Sequence, residues 1–169
     1  LLEGDALVTV LDAWSKDADD IRDVLKAIAL VKSAPQRSRD VVAGYGEIWS
    51  ARMLAALLGQ LSSKRGGSWI DAREVITVTE TELGPTVLWD ESQEKFDRIV
   101  AADLSGIAVI TGFIAADEDG LQTTLGRNGS DYSAAIFAAL SGASELDIWT
   151  DVDGVMSADP NRVPEAQVN

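Results

Sequence analysis

The spacing of apolar positions divides the chain into alternating helical and extended stretches. Between Asp17 and Lys32, the residues Ile21, Val24, Leu25, Ile28 and Val31 recur at intervals of three and four, the period of one helix face. Asp19 and Asp20 fall in the first turn, where carboxylates complement the helix dipole, and Pro35 ends the stretch. The earlier apolar run Leu7 to Leu11, with Trp14, fits a strand or a helix equally well. Gly44-Tyr45-Gly46-Glu47 leads into a second helix, Ile48 to Leu61, with Ala51, Ala55 and Leu58 on one face and Met53, Leu54 and Leu57 widening it. Ser68 to Asp71 reads as the end of a buried strand and Asp90 to Ala102 as an amphipathic helix through Phe96, Ile99 and Val100. Ile107 to Phe113 reads as a strand rich in β-branched residues, closed by the acidic turn Asp117 to Gly120.

The rest is organised around Leu125 to Val163. Gly126 and Gly129 bracket Arg127 and Asn128, and glycine lets the backbone take a positive φ or approach a ligand closely. Ser130 and Asp131 are good N-caps for an alanine-rich helix, Tyr132 to Leu140, that Gly142 should stop. The unbonded N–H groups and positive dipole end of that helix face the glycine turn, a place for an anion. Leu146, Ile148 and Trp149 read as a short strand, ended by Thr150, Asp151 and the turn Asp153-Gly154. This order of helices and strands predicts an α/β fold, a three-layer α/β/α sandwich with an open, mainly parallel sheet. In such sheets ligands sit beyond the carboxyl ends of strands, where Thr150 and Asp151 fall.

Charge sharpens this picture. From Ile99 to Asn161 there are ten carboxylates and one cation, Arg127. So many acids would expel an anionic ligand unless a fixed positive charge sat against it, so Arg127 is either a surface charge or the anchor of the site, and its place between two glycines favours the anchor. The whole chain of 169 residues carries a formal charge of -14, which disfavours nucleic acid and anionic lipid as partners. With 46% hydrophobic residues it can bury a core of one domain. It has no cysteine and no histidine, so disulfides, thiolate zinc sites and a histidine general base are excluded and no resident metal is expected. Without a secretory pattern, a cytoplasmic location is the expectation.

Three separated motifs, LGRNGSDYSAA, IWTDVDGV and ADPNRVP, resemble the central motifs of aspartate kinases, within the amino acid kinase family, in that family's order and spacing. The wording is most similar to the kinase portion of bifunctional aspartokinase–homoserine dehydrogenases. The similarity is strong from Val109 to Ala166 and continuous back to Gly44. It implies transfer of the γ-phosphate of ATP, as its Mg2+ complex, to the β-carboxylate of L-aspartate, the entry to lysine, threonine and methionine biosynthesis, in a homo-oligomeric enzyme. By resemblance, Arg127 holds the α-carboxylate of aspartate, Glu47 its amino group, and Ser130 bonds the substrate near the turn. Asp131 has the catalytic role, orienting lysines that neutralise the transferring phosphoryl group. Thr150, Asp151, Met156 and Arg162 lie on the nucleotide side.

Several positions also carry plainer readings. A glutamate in the first turn of a helix more often complements the dipole than binds a ligand, and the resemblance is what turns Glu47 into a site residue. Arg73, in the strand-end sequence Asp71-Ala72-Arg73, reads as a structural or surface charge, and Tyr132, Ser133 and Trp149 as packing residues. Met156 stands where many relatives have an aromatic residue. Asn161 replaces the arginine usual after Asp159-Pro160, with Arg162 one place later. Asp151-Val152-Asp153-Gly154 hints at a calcium loop, but Arg162 stands where its closing glutamate belongs. The family's N-terminal lysine and glycine-rich motif, its second lysine segment and its regulatory region have no counterpart in these residues. The chain is therefore expected to be the central part of one catalytic domain, inactive by itself. The alternatives are a non-catalytic or regulatory piece, or a sibling enzyme acting on another carboxylate or a carbamate.

Overall fold

The computed structural model describes residues 1–61, 66–99, 106–149, 156–159 and 162–167. Two long helices, α1 (Gly4–Val31) and α2 (Gln36–Leu61), are followed by β1 (Gly67–Ile70), a 3-10 turn (Ala72–Glu74), and the hairpin β2 (Thr77–Thr81) and β3 (Gly84–Val87). Then come α3 (Trp89–Ile99), β4 (Ile107–Ile110), the hairpin β5 (Ile114–Asp117) and β6 (Gln122–Thr124), and α4 (Gly129–Leu140). The strands form a parallel pair, β1 with β4, and a four-stranded sheet in the order β3-β2-β5-β6. The class is α/β, as expected. The sheets are mixed, because β2 pairs with β5 in parallel while the two hairpins add antiparallel pairs at β3 and β6.

Helix α1 takes in the ambiguous run Leu7 to Leu11, which is helical, and ends where Lys32 turns left-handed at φ 51°. Its contact with α2 is partly polar. Asp17 is buried, accepts a 3.0 Å hydrogen bond from Trp49 Nε1 and pairs with the Arg52 guanidinium. That guanidinium lies 4.4 Å over the Trp69 ring. Trp49 also stands 5.9 Å, ring to ring, from both Trp14 and Tyr45. Burial, with the Asp20 and Asp17 carboxylates nearby, raises the Tyr45 phenol above its ordinary pKa.

Helix α2 does not begin after Gly44-Tyr45-Gly46-Glu47 but runs through them. Two glycines cost a helix roughly 1 kcal/mol each relative to alanine, and packing overrides that cost. A methyl at Gly44 would stand 2.9 Å from the Ile114 side chain and 2.2 Å from the Gln122 amide, so only a bare backbone lets α2 lie against β5 and β6. Gly44, Ile48, Ala51 and Ala55 form its buried face, whereas Met53 and Leu54, expected to widen that face, are exposed. By length and composition alone α2 could cross a membrane, but its packing against α1, β1, β4 and β6 uses it as the central helix of the fold.

The core joins Ile48 of α2, Ile76, Val78 and Ile114 of the strands, and Phe96, Ile136 and Phe137 of α3 and α4. Each fully buried side chain of this size contributes about 1.5–3 kcal/mol. Two expectations change here, and one falls partly outside the described residues. Ile107 to Phe113 is not one strand, because the ladder stops at Ile110 and a turn separates β4 from β5. The third helix is described only to Ile99, and Val100 to Ala102 lie outside the described residues. Leu146 to Trp149 forms no strand. A strand needs a neighbour for its ladder, and none pairs with this exposed segment among the described residues.

Candidate functional site

The glycine turn is built as the sequence suggests, with one correction. Gly126 and Gly142, on either side of α4, take φ values of 75° and 61°. The helix begins at Gly129 and its N-cap is Asn128, left-handed at φ 60°, rather than Ser130 or Asp131. Asparagine tolerates that region, and its side chain makes no capping hydrogen bond. Instead Gly129 N–H donates to the Gly126 carbonyl at 3.0 Å. Among the described residues no side chain is seen to cap the first helical turn, which is the condition for taking up an anion. Arg127, Ser130 and Asp131 are exposed around this end. Among the described residues, Arg127 has no ion pair, although six such pairs involve other cations.

A second wall was not legible in the sequence. Beyond the carboxyl end of β4, Thr111-Gly112-Phe113 folds under the α4 terminus. Thr111 is 1% exposed and its Oγ1 accepts from Ala72 N–H at 2.8 Å, fixing the turn to the end of β1. Phe113 is left-handed at φ 68°, an outlier for a bulky side chain. Its N–H donates to Ser133 Oγ at 3.3 Å, its carbonyl accepts from Leu125 N–H at 2.7 Å, and Ser133 Oγ donates to the Ser130 carbonyl at 2.8 Å. Close approach needs glycine at 129, where a methyl would stand 2.8 Å from the Phe113 ring, and one on Gly112 would stand a tight 3.3 Å from Ser133 Oγ. The signal that could have marked it was a Thr-Gly pair straight after an apolar β-branched run, absorbed into the strand by the hydrophobicity of Phe113.

Glu47 lies within α2. It is half-buried, one helical turn from Gly44, whose backbone faces Ile114 and Gln122. It is therefore a mid-helix residue, and the first-turn dipole argument does not apply to it. The frame beside it is stiff. Gln122 donates to the Asp40 and Val41 carbonyls of α2 at 2.8 and 3.3 Å and accepts from Arg73 at 2.5 Å. Arg73 also grips Asp71, and that hydrogen-bonded carboxylate raises the guanidinium pKa further. Arg73 is structural, as expected.

Of the residues expected on the nucleotide side, Thr150 and Asp151 lie outside the described residues, as does the turn at Asp153-Gly154. Met156 is half-buried and Arg162 exposed. Their segment closes on itself through Ser157 N–H to the Gln167 carbonyl at 2.8 Å and Arg162 N–H to the Asp159 carbonyl at 3.0 Å. Of the three residues expected to pack, only Ser133 is buried. Tyr132 is 38% exposed and Trp149 94%. An apolar groove of about 290 Å³ between α1 and α2, lined by Val10, Leu11, Trp14, Trp49, Arg52 and Met53, includes none of the candidate site residues.

Comparison with known proteins places this geometry. The model of the amino acid kinase family matches residues 6–168. The bifunctional aspartokinase/homoserine dehydrogenase 1, chloroplastic, of Arabidopsis thaliana is 41% identical over 99% of the chain, which spans 18% of that relative. The bifunctional aspartokinase/homoserine dehydrogenase 2 of Escherichia coli is 42% identical over 74% of the chain, covering 15% of its own length. The crystal structure of E. coli aspartokinase III in complex with aspartate and ADP superposes with a TM-score of 0.81 at 28% identity, over 95% of this chain and 35% of that one.

Proposed function

The chain belongs to the amino acid kinase family, and we propose that the protein containing it is an aspartate kinase, these residues forming the central part of its catalytic domain. ATP, as its magnesium complex, is a substrate, and its γ-phosphate passes to the β-carboxylate of L-aspartate to give 4-phospho-L-aspartate. One oxygen of that carboxylate forms the new bond to phosphorus while the bond to the leaving ADP oxygen breaks. The acceptor is already an anion, so no general base is needed, and catalysis rests on positioning and charge neutralisation. That suits a site without histidine.

The observation that carries this reading is Arg127, the one cation from Ile99 to Asn161, exposed and without an ion pair among the described residues, beside an uncapped helix N-terminus. Two positive elements thus converge where the α-carboxylate of an amino acid would sit. In this reading Arg127 and Ser130 hold that end of aspartate and Glu47 its ammonium group. Asp131 orients the lysines that meet the phosphoryl group, and Thr150, Asp151, Met156 and Arg162 lie along the nucleotide. The proposed enzyme is a homo-oligomer of the cytoplasm or, as the plant relatives are named, the chloroplast, and feeds lysine, threonine and methionine biosynthesis.

The test is coupled ADP release by the purified parent protein, with hydroxylamine trapping of the acyl phosphate. We expect aspartate-dependent ADP release with a trapped hydroxamate, and little of either with glutamate. ADP release independent of aspartate, or faster with another carboxylate, would remove the proposal.

A further inference from the structure

We propose that Ser133, a residue without an assigned role in the reaction, is the positioning residue of the amino-acid half of the site. It acts through the backbone of Phe113 and Ser130 rather than by touching substrate. This inference rests on the aspartate kinase reading.

Ser133 lies one turn into α4, is 3% exposed and has a hydroxyl satisfied in both directions. The hydroxyl donates to the Ser130 carbonyl of its own helix and accepts from the N–H of Phe113, twenty residues away in sequence. The first bond alone would be a common local pattern, a serine bonding back into its own helix. The second is not local, and it ends on Phe113, the bulkiest of the described non-glycine residues held left-handed. A bulky residue held left-handed costs on the order of 1–3 kcal/mol, so it persists only when its surroundings over-determine it. Two bonds fix Phe113, the one from its N–H to Ser133 and the one from Leu125 N–H to its carbonyl. Leu125 is the residue before the Gly126–Gly129 turn that presents Arg127. Ser133 therefore ties three pieces into one unit: the turn after β4, the start of the Arg127 turn, and the helical residue Ser130. Gly112 and Gly129 supply the room for that closeness. Without the hydroxyl, Phe113 N–H loses its acceptor and only the Leu125 bond opposes relaxation of φ, a relaxation that would carry the Leu125 contact, and with it Arg127, away from Ser130.

Met156 and Arg162, the described residues of the nucleotide side, make no bond to this unit among the described residues, so the effect should be one-sided. The variants are Ser133→Ala, which deletes the hydroxyl, and Ser133→Thr, which keeps it, both in the full parent enzyme. We expect Ser133→Ala to raise KM for aspartate at least fivefold with KM for ATP within twofold, and Ser133→Thr to stay within twofold of wild type for both. Hydrogen-exchange mass spectrometry on the same proteins should show faster exchange of the peptide spanning 111–114 in Ser133→Ala only. An unchanged aspartate KM overturns the proposal even if exchange quickens, because the hydroxyl is then purely structural. Equal rises in both KM values overturn it, and so does a threonine variant that behaves like alanine. A wild-type enzyme that does not phosphorylate aspartate would instead bring down the reading beneath, which the exchange experiment does not touch.

Discussion

At the scale of single residues, Arg127 separates a binding role from a structural one. Its guanidinium is exposed and has no ion pair among the described residues, so its removal should leave folding within about 0.5 kcal/mol of wild type. A charge-assisted hydrogen bond to a carboxylate is worth about 1.5–3 kcal/mol, which is roughly ten- to 150-fold in kcat/KM for aspartate. Arg127→Ala should show that loss with an unchanged melting temperature. Arg127→Lys should recover only part of it, since an ammonium is a point charge where a guanidinium offers two parallel donors. Unchanged aspartate kinetics would make Arg127 a surface charge, and a large fall in melting temperature would make it a structural one. The sequence singled out Arg127 because charge is countable without coordinates. It concealed Ser133 and Phe113 because a buried bond across twenty residues and a left-handed φ leave no periodic trace.

At the scale of elements, the sequence was most legible where a helix has a continuous apolar face and least where tertiary contact overrules local preference. The helix of Ile21, Val24 and Ile28 was readable. The start of α2 was not, because glycines ordinarily mark breaks and here mark close packing. The two hairpins were missed for a related reason. Gly84 and Gly120 are turn signals at φ 104° and 75°, but the strands they join are only three to five residues long, too short for a period-2 pattern to stand out. The two helical glycines should respond oppositely to alanine. A methyl added at Gly46 would meet no atom within 4 Å, so Gly46→Ala should stabilise by about 0.5–1 kcal/mol through helix propensity. Gly44→Ala gains the same term but presses on the fully buried Ile114 and on a Gln122 amide held by Asp40 and Val41. Overpacking of this kind costs about 1–3 kcal/mol, so it should lower stability. Urea denaturation of both variants checks the ordering, and a Gly44→Ala as stable as Gly46→Ala would mean that α2 stands off β5 and β6.

At the scale of the whole molecule, net charge becomes a folding term. Of the 28 acidic side chains, 14 exceed the number of lysines and arginines, so even complete pairing would leave the formal charge of -14. Most of the described pairs are no remedy. Those between Arg22 and Asp19 and between Lys26 and Asp23 are largely exposed, and such pairs contribute little to stability. The Lys26 hydrogen bond does hold the Asp23 carboxyl below its ordinary pKa, but that pair faces water and is screened by salt as readily as the repulsion is. The less exposed Asp17–Arg52 and Asp71–Arg73 pairs are screened less. Salt therefore weakens contacts that contribute little and leaves the stronger ones, while it damps repulsion summed over the whole acidic surface. The screening length falls from about 30 Å at 0.01 M to about 8 Å at 0.15 M, from the size of a domain to the spacing of neighbouring side chains. Raising sodium chloride across that range should stabilise the fold by about 1 kcal/mol, a rise of roughly 2–4 °C in Tm for a chain of this size. Thermal melts of the 169-residue chain at neutral pH, over several salt concentrations, measure it directly. A Tm that falls with salt would show that the ion pairs, and not the excess of carboxylates, govern the electrostatics of this fold.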